Sequence, residues 1–136
     1  MGTNYYLHEN PCPHCKHPER RLHVGKSSGG WCFSLHVLDA AETGGLRIQS
    51  LADWEEQFRK PGSVIVNEYG DTVSVEEMLR EIKERKPVPR SPPPDERFLR
   101  DNEAEIGPKG LLRHRLGRHC VAHGEGTWDM IAGYFQ

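Results

Sequence analysis

From Arg21 onward the chain alternates apolar and polar positions. Leu22 and Val24 share one face of an extended segment, and Trp31, Phe33, Leu35 and Val37 share one face of a second. Lys26-Ser27-Ser28-Gly29-Gly30 between them reads as a turn. For both apolar faces to point the same way, paired positions must sum to an odd number. A two-residue Ser28-Gly29 turn does this by pairing Val24 with Phe33 and His23 with Ser34. Residues 1–19 are polar and turn-rich, with Pro11, Pro13 and Pro18 around two cysteines, a composition that predicts a loop rather than a helix or a central strand.

After Gly44-Gly45 the period changes. Ser50-Leu51-Ala52-Asp53 resembles a capping box, and Leu51, Trp54 and Phe58 fall at helical spacing, predicting a helix over 51–60 that Pro61-Gly62 stops. Val64-Ile65-Val66 and Thr72-Val73 predict a small hairpin. Ser74 and Glu77 cap a second helix with the stripe Val75, Met78, Leu79 and Ile82, ending near Lys86. Five prolines between Pro87 and Glu96 predict an extended connector. Beyond it, Leu111, Leu112 and Leu116 recur at helical spacing, and 127–135 carries strand-like aromatics. The pattern predicts an α+β fold, a small zinc-stapled β-hairpin domain with two short helices and a returning C-terminal strand segment. Its parts are a core at 1–86, a proline-rich connector at 87–97, and a segment at 98–136 that docks on the core.

At 136 residues the chain has one domain's worth of core, which excludes a multidomain enzyme. With 35% apolar residues and ten prolines, that core needs reinforcement. A net charge of -2 gives no overall attraction for nucleic acid or an anionic membrane, so any such binding needs a local patch. The longest uncharged stretch, 27–38, is too short to span a bilayer, and the first residues lack a signal-peptide pattern, so the expected compartment is the cytoplasm.

Reinforcement by metal fits the cysteines. Cys12-Pro13-His14-Cys15 places two thiolates in a tight Pro-containing turn, the arrangement of a zinc knuckle. Hairpin parity puts His23, Cys32, Ser34 and His36 on the face opposite Trp31 and Phe33, and only one of Cys32 and His36 lies close enough to join His23 on a metal. The expected set is Cys12, Cys15, His23 and His36 around a structural zinc, with Cys32 as a small apolar filler. The alternative completes the site with Cys120 and His123, whose spacing mirrors the first knuckle. Gly25-Lys26-Ser27 is not a phosphate loop, since Arg20 stands where the motif needs glycine. Arg113, Arg115 and Arg118 lie in a stretch without acids and, if helical, Arg115 and Arg118 offer a strip to phosphates. No catalytic residues are assigned. A nuclease reading recruits His114, His119, His123, Glu125 and Asp129 as metal ligands or acid and base, without a hydrolase signature in their spacing.

Met-Gly-Thr-Asn-Tyr-Tyr, Cys-Pro-His-Cys and the string from His23 through Gly25-Lys26-Ser27-Ser28-Gly29-Gly30-Trp31-Cys32-Phe33-Ser34-Leu35-His36 together resemble a group of small bacteriophage and prophage proteins. The resemblance covers residues 1–37 and is looser through Glu68-Tyr69-Gly70 and the Ser74 helix. It implies a phage accessory protein acting inside a bacterial cell, and brings no catalytic residues. The expected function is a zinc-binding module that regulates or inhibits a host or phage macromolecule, a protein partner above all. A nucleic-acid-binding module and a metal-dependent nuclease are the alternatives.

Overall fold

Strand β1, Gly2–Glu9, lies inside the sheet with β4, Ser63–Asn67, on one side and β2, Arg20–Ser28, on the other. This corrects the expectation that residues 1–19 form a loop. The prolines all lie beyond Glu9, and within 2–9 Leu7 is fully buried while Tyr5 packs against the core, the alternation of a strand that sequence reading passed over. A computed structural model describes residues 2–87 and 92–136. Its main sheet runs β5-β4-β1-β2-β3-β9-β8, where β3 is Phe33–His36, β5 is Thr72–Val73, β8 is Cys120–His123 and β9 is Trp128–Ile131. The fold is α+β.

The β2–β3 register differs from the odd-sum pairing. Gly25 pairs with Leu35 and Lys26 with Ser34, an even sum. The faces still agree because β2 slips against β1: Tyr5 pairs with Gly25 but Tyr6 with His23, so Val24 is an extra residue. That irregularity flips the parity, and Leu22, Val24, Phe33 and Leu35 all reach the same core. Gly25 is required there, because a Cβ would collide with the Ser34 carbonyl and the Phe33 ring.

Helices cover this face. The predicted first helix is α2, Leu51–Phe58, with the Ser50 hydroxyl accepting from Asp53 N–H. The second is α3, Val75–Lys83, with Ser74 accepting from Glu77 N–H, and it ends before Lys86. Trp54, Phe58, Met78 and Ile82 pack from them onto Leu7, Val24, Phe33 and Leu35. Just past α3 the buried Arg85 guanidinium donates to the Trp31 and Ser28 carbonyls and to Ser27 Oγ, and pairs with Glu81. The end of β2 is thus clamped from the side; Lys26, Ser27 and Ser28, expected in the turn, belong to the strand, and the turn is confined to Gly29-Gly30. Two short helices escaped the sequence reading: α1, Ala40–Thr43, started by an Asp39–Glu42 capping box, and α4, Glu96–Asp101, capped by Asp95.

The C-terminal segment enters the sheet. Strand β9 pairs in parallel with β3, Phe33 opposite Trp128 and Leu35 opposite Met130, and β8 forms the sheet edge beyond it. The helical premise for 111–118 is corrected: Leu112–His114 is strand β7, paired with β6, Ala104–Ile106, across a 3-10 turn at Pro108–Gly110. Leu112 exchanges backbone bonds with Gly30 and Cys32, which fastens this hairpin to the entrance of β3. Of the expected connector, residues 88–91 lie outside the described residues, and 96–97 belong to α4.

Candidate metal centre

Alternation along β9 sends Trp128 and Met130 toward the helices and Asp129 and Ile131 to the opposite face. Asp129 is completely buried. A carboxylate there requires partners, and β7 supplies them. Arg113 Nε donates to Asp129 Oδ1 at 2.9 Å, and the His114 amide donates to Oδ2 at 2.8 Å. The His114 ring stands 3.3 Å from the same oxygen through Nδ1. Arg113 Nη2 also donates to the carbonyl of Trp128, so one buried ion pair holds β7 across β9.

In a regular strand, residues three apart face opposite sides, so Cys120 and His123 would diverge. The β8–β9 ladder prevents this. Cys120 opposes Ile131 and His123 opposes Asp129, with an irregularity at Val121 that puts both side chains on the Asp129 face. Cys120 Sγ, one His123 ring nitrogen and one Asp129 oxygen all lie within 4.8 Å of one another. This group could hold a metal ion: one sulfur, one imidazole nitrogen and one carboxylate oxygen is a donor set that zinc accepts. His123 Nε2 lies 2.8 Å from the His114 carbonyl and 3.4 Å from Glu105 Oε1. Burial, and then Asp129, pushes the Cys120 thiol up to about 11, so a metal entering here displaces a proton from sulfur.

Among the described residues no other His, Cys, Asp or Glu group of three or more is as close. Cys12 and Cys15 therefore do not converge with His23 and His36. Their loop lies beyond the Glu9–Arg20 end of the β1–β2 pair, whereas His23 sits three positions inside the strand, opposite Tyr6. His23 and His36 do meet. Their Nδ1 atoms are 3.1 Å apart, His23 Nε2 reaches Asn4 Oδ1 at 2.9 Å, and the Phe135 ring covers both. Cys120 and His123 come together with Asp129 rather than with the amino-terminal cysteines. Cys32 is buried, its thiol raised to about 11 by burial and Asp129. The sequence groups Asp129 and His123 only within the nuclease set, as metal ligands or acid and base, and apart from Cys120. The signal for their union with Cys120 was the lone acid inside the apolar run Trp128-Asp129-Met130-Ile131.

Cys120 also walls a cleft of about 420 Å³ with Arg100, Arg115, Arg118, His114 and His119. Glu103 is the one acid on its lining. Arg115 Nε donates to the Ala104 carbonyl, which aims the rest of the guanidinium outward. Arg113 is not part of this strip, because its guanidinium is buried against Asp129. No helix among the described residues is long and apolar enough to cross a membrane. No protein-family model, curated protein or solved structure matches the chain.

Proposed function

We propose that the protein is a zinc-binding accessory protein of the bacteriophage kind that works in the bacterial cytoplasm as a binding module for a macromolecule, with nucleic acid as the partner. The observation that carries this reading is the cationic cleft with Cys120 in its wall. Arg100, Arg115, Arg118 and His119 converge there with a single acid, in a chain whose charge is otherwise balanced. Zinc on Cys120, His123 and Asp129 holds the cleft's floor, and Glu105, already 3.4 Å from His123, supplies a fourth ligand. The role of that zinc is structural.

Anisotropy of a labelled single-stranded oligonucleotide tests the partner. Affinity should fall steeply with salt, and the Arg115→Ala, Arg118→Ala double variant should lose roughly 0.7 of log-log slope per phosphate contact removed. Binding that is absent at low salt, or indifferent to salt, rejects the reading. Native mass spectrometry tests the metal: wild type should retain zinc that Cys120→Ser and Asp129→Asn release.

One observation favours cleavage over simple binding. His114 lines the cleft and its Nδ1 faces the buried Asp129, the orientation that leaves a general base's other nitrogen toward a substrate. Cleavage of DNA or RNA with magnesium or manganese, lost in a folded His114→Ala variant, supports this second reading; intact substrate at high protein excess removes it.

A further inference from the structure

The Cys12–Cys15 loop is a tight turn whose neighbours differ from those the spacing suggested. Cys12 N–H donates to the His17 carbonyl and the Cys12 carbonyl accepts from Lys16 N–H, both at 2.9 Å, closing a tight turn. Lys16 completes it at a φ of 65°, a left-handed conformation that a non-glycine residue adopts only where the turn demands it. A turn closed by that Lys16-to-Cys12 bond puts Cys12 and Cys15, three positions apart, on one side of the chain. The two cysteines are therefore neighbours on the turn.

Two imidazoles flank this knuckle. His8, on β1 opposite Arg21, has its Nε2 buried with no hydrogen-bond partner among the described residues. An orphaned buried ring nitrogen calls for an explanation, and a missing ion is one. His17 follows the turn, its carbonyl held by the Cys12 amide. His8, Cys15 and His17 line one cleft of about 500 Å³. The cations around it are largely engaged elsewhere: Arg20 pairs with Glu9, and Arg21 lies 3.7 Å over the Tyr6 ring. Of the other charges on the lining, Lys16 is offset by Glu19.

We propose that Cys12, Cys15, His8 and His17 form a metal site, separate from the Cys120 group, that binds zinc with two sulfur and two nitrogen ligands. His23 and His36 take no part. The donors of this site do not lie within one coordination sphere without metal, so binding draws the two rings onto the knuckle and fixes the loop at the end of the β1–β2 pair.

Cobalt titration of the full chain, stripped of metal under reducing conditions, tests this, because thiolate-to-cobalt charge transfer reports how many sulfurs bind. Two equivalents are expected. Cys12→Ser and Cys15→Ser should each remove the equivalent with the stronger charge-transfer band, and His8→Gln and His17→Gln should each weaken it at least tenfold. His23→Gln and His36→Gln should leave it intact, and Cys120→Ser should remove only the other equivalent. A cobalt spectrum and stoichiometry unchanged in Cys12→Ser overturn the site. Unchanged affinity in His8→Gln or His17→Gln, or loss in His23→Gln, overturns the ligand set. A single equivalent lost with Cys12→Ser and kept in Cys120→Ser would sustain this site while removing the metal from the proposed function; the opposite pattern would do the reverse.

Discussion

Mild acid is expected to destabilise this protein through the buried His23. Its ring packs edge-on or tilted against Tyr6, His36 and Phe135, and both nitrogens face protein atoms. Burial first, then His36, Arg21 and Lys26, lowers its pKa from 6.5 to about 4. The unfolded chain takes up this proton near pH 6.5 and the folded one near 4. Between those values the unfolded state binds more protons, so stability falls as pH falls. All of it is present above pH 6.5, and the loss is complete below about 4. The shift corresponds to about 3 kcal/mol, a large part of the roughly 5–15 kcal/mol that stabilises a typical domain. His36 is lowered too, chiefly by burial. The slope between pH 6 and 4.5 should therefore be steeper than His23 alone gives, which is at most roughly 1.4 kcal/mol per pH unit. Urea denaturation followed by circular dichroism, with chelator present, measures this from pH 7 to 4.5. His23→Gln should flatten the curve. A wild-type stability constant over that range, or an equal slope in His23→Gln, refutes the reasoning.

Three further expectations follow from packing. Gly25→Ala drives a methyl into the Ser34 carbonyl and the Phe33 ring and should cost about 1–3 kcal/mol; an unchanged Tm would mean β3 yields freely. In the metal-free protein, Arg113→Met leaves Asp129 buried without its guanidinium and should cost about 3–5 kcal/mol, most of it recovered in the Arg113→Met, Asp129→Leu double variant; chemical denaturation of both with chelator present gives the comparison. Trp54→Ala empties the centre of the core and removes the Nε1 bond to the His36 carbonyl, so about 3–5 kcal/mol should be lost, against a smaller loss for Trp54→Phe.

The helix-bearing part of the fold is legible wherever a cap and a period coincide. Ser50 with the Leu51, Trp54 and Phe58 stripe, and Ser74 with Met78 and Ile82, fold locally and mark themselves. What stays hidden depends on partners distant in the chain. Residues 2–9 carry polar Asn4 and His8 among their apolar positions, and they become a central strand because β2 and β4 complete both edges. The β2–β3 register is set by the slip at Val24, which no hydrophobic pattern announces. For the site, residue type was readable and company was not. Cys120 and His123 stand at a spacing that a regular strand would separate, and only the irregularity at Val121 and the arrival of β9 bring them to Asp129. His23 and His36 were placed on one face correctly, yet they satisfy one another instead of reaching the knuckle.

The parallel seam between β3 and β9 joins Phe33 to Trp128, across most of the length of the chain. Contacts of such separation form late, because a long loop must close before they stabilise anything. Until then, β3 is an open edge carrying Phe33 and Leu35, the kind of edge that recruits strands from other molecules. The hazard for this protein thus lies in the interval before the seam closes rather than in its finished state. Refolding yield should fall with rising protein concentration even where equilibrium stability does not change, and a yield independent of concentration would show that the seam closes early.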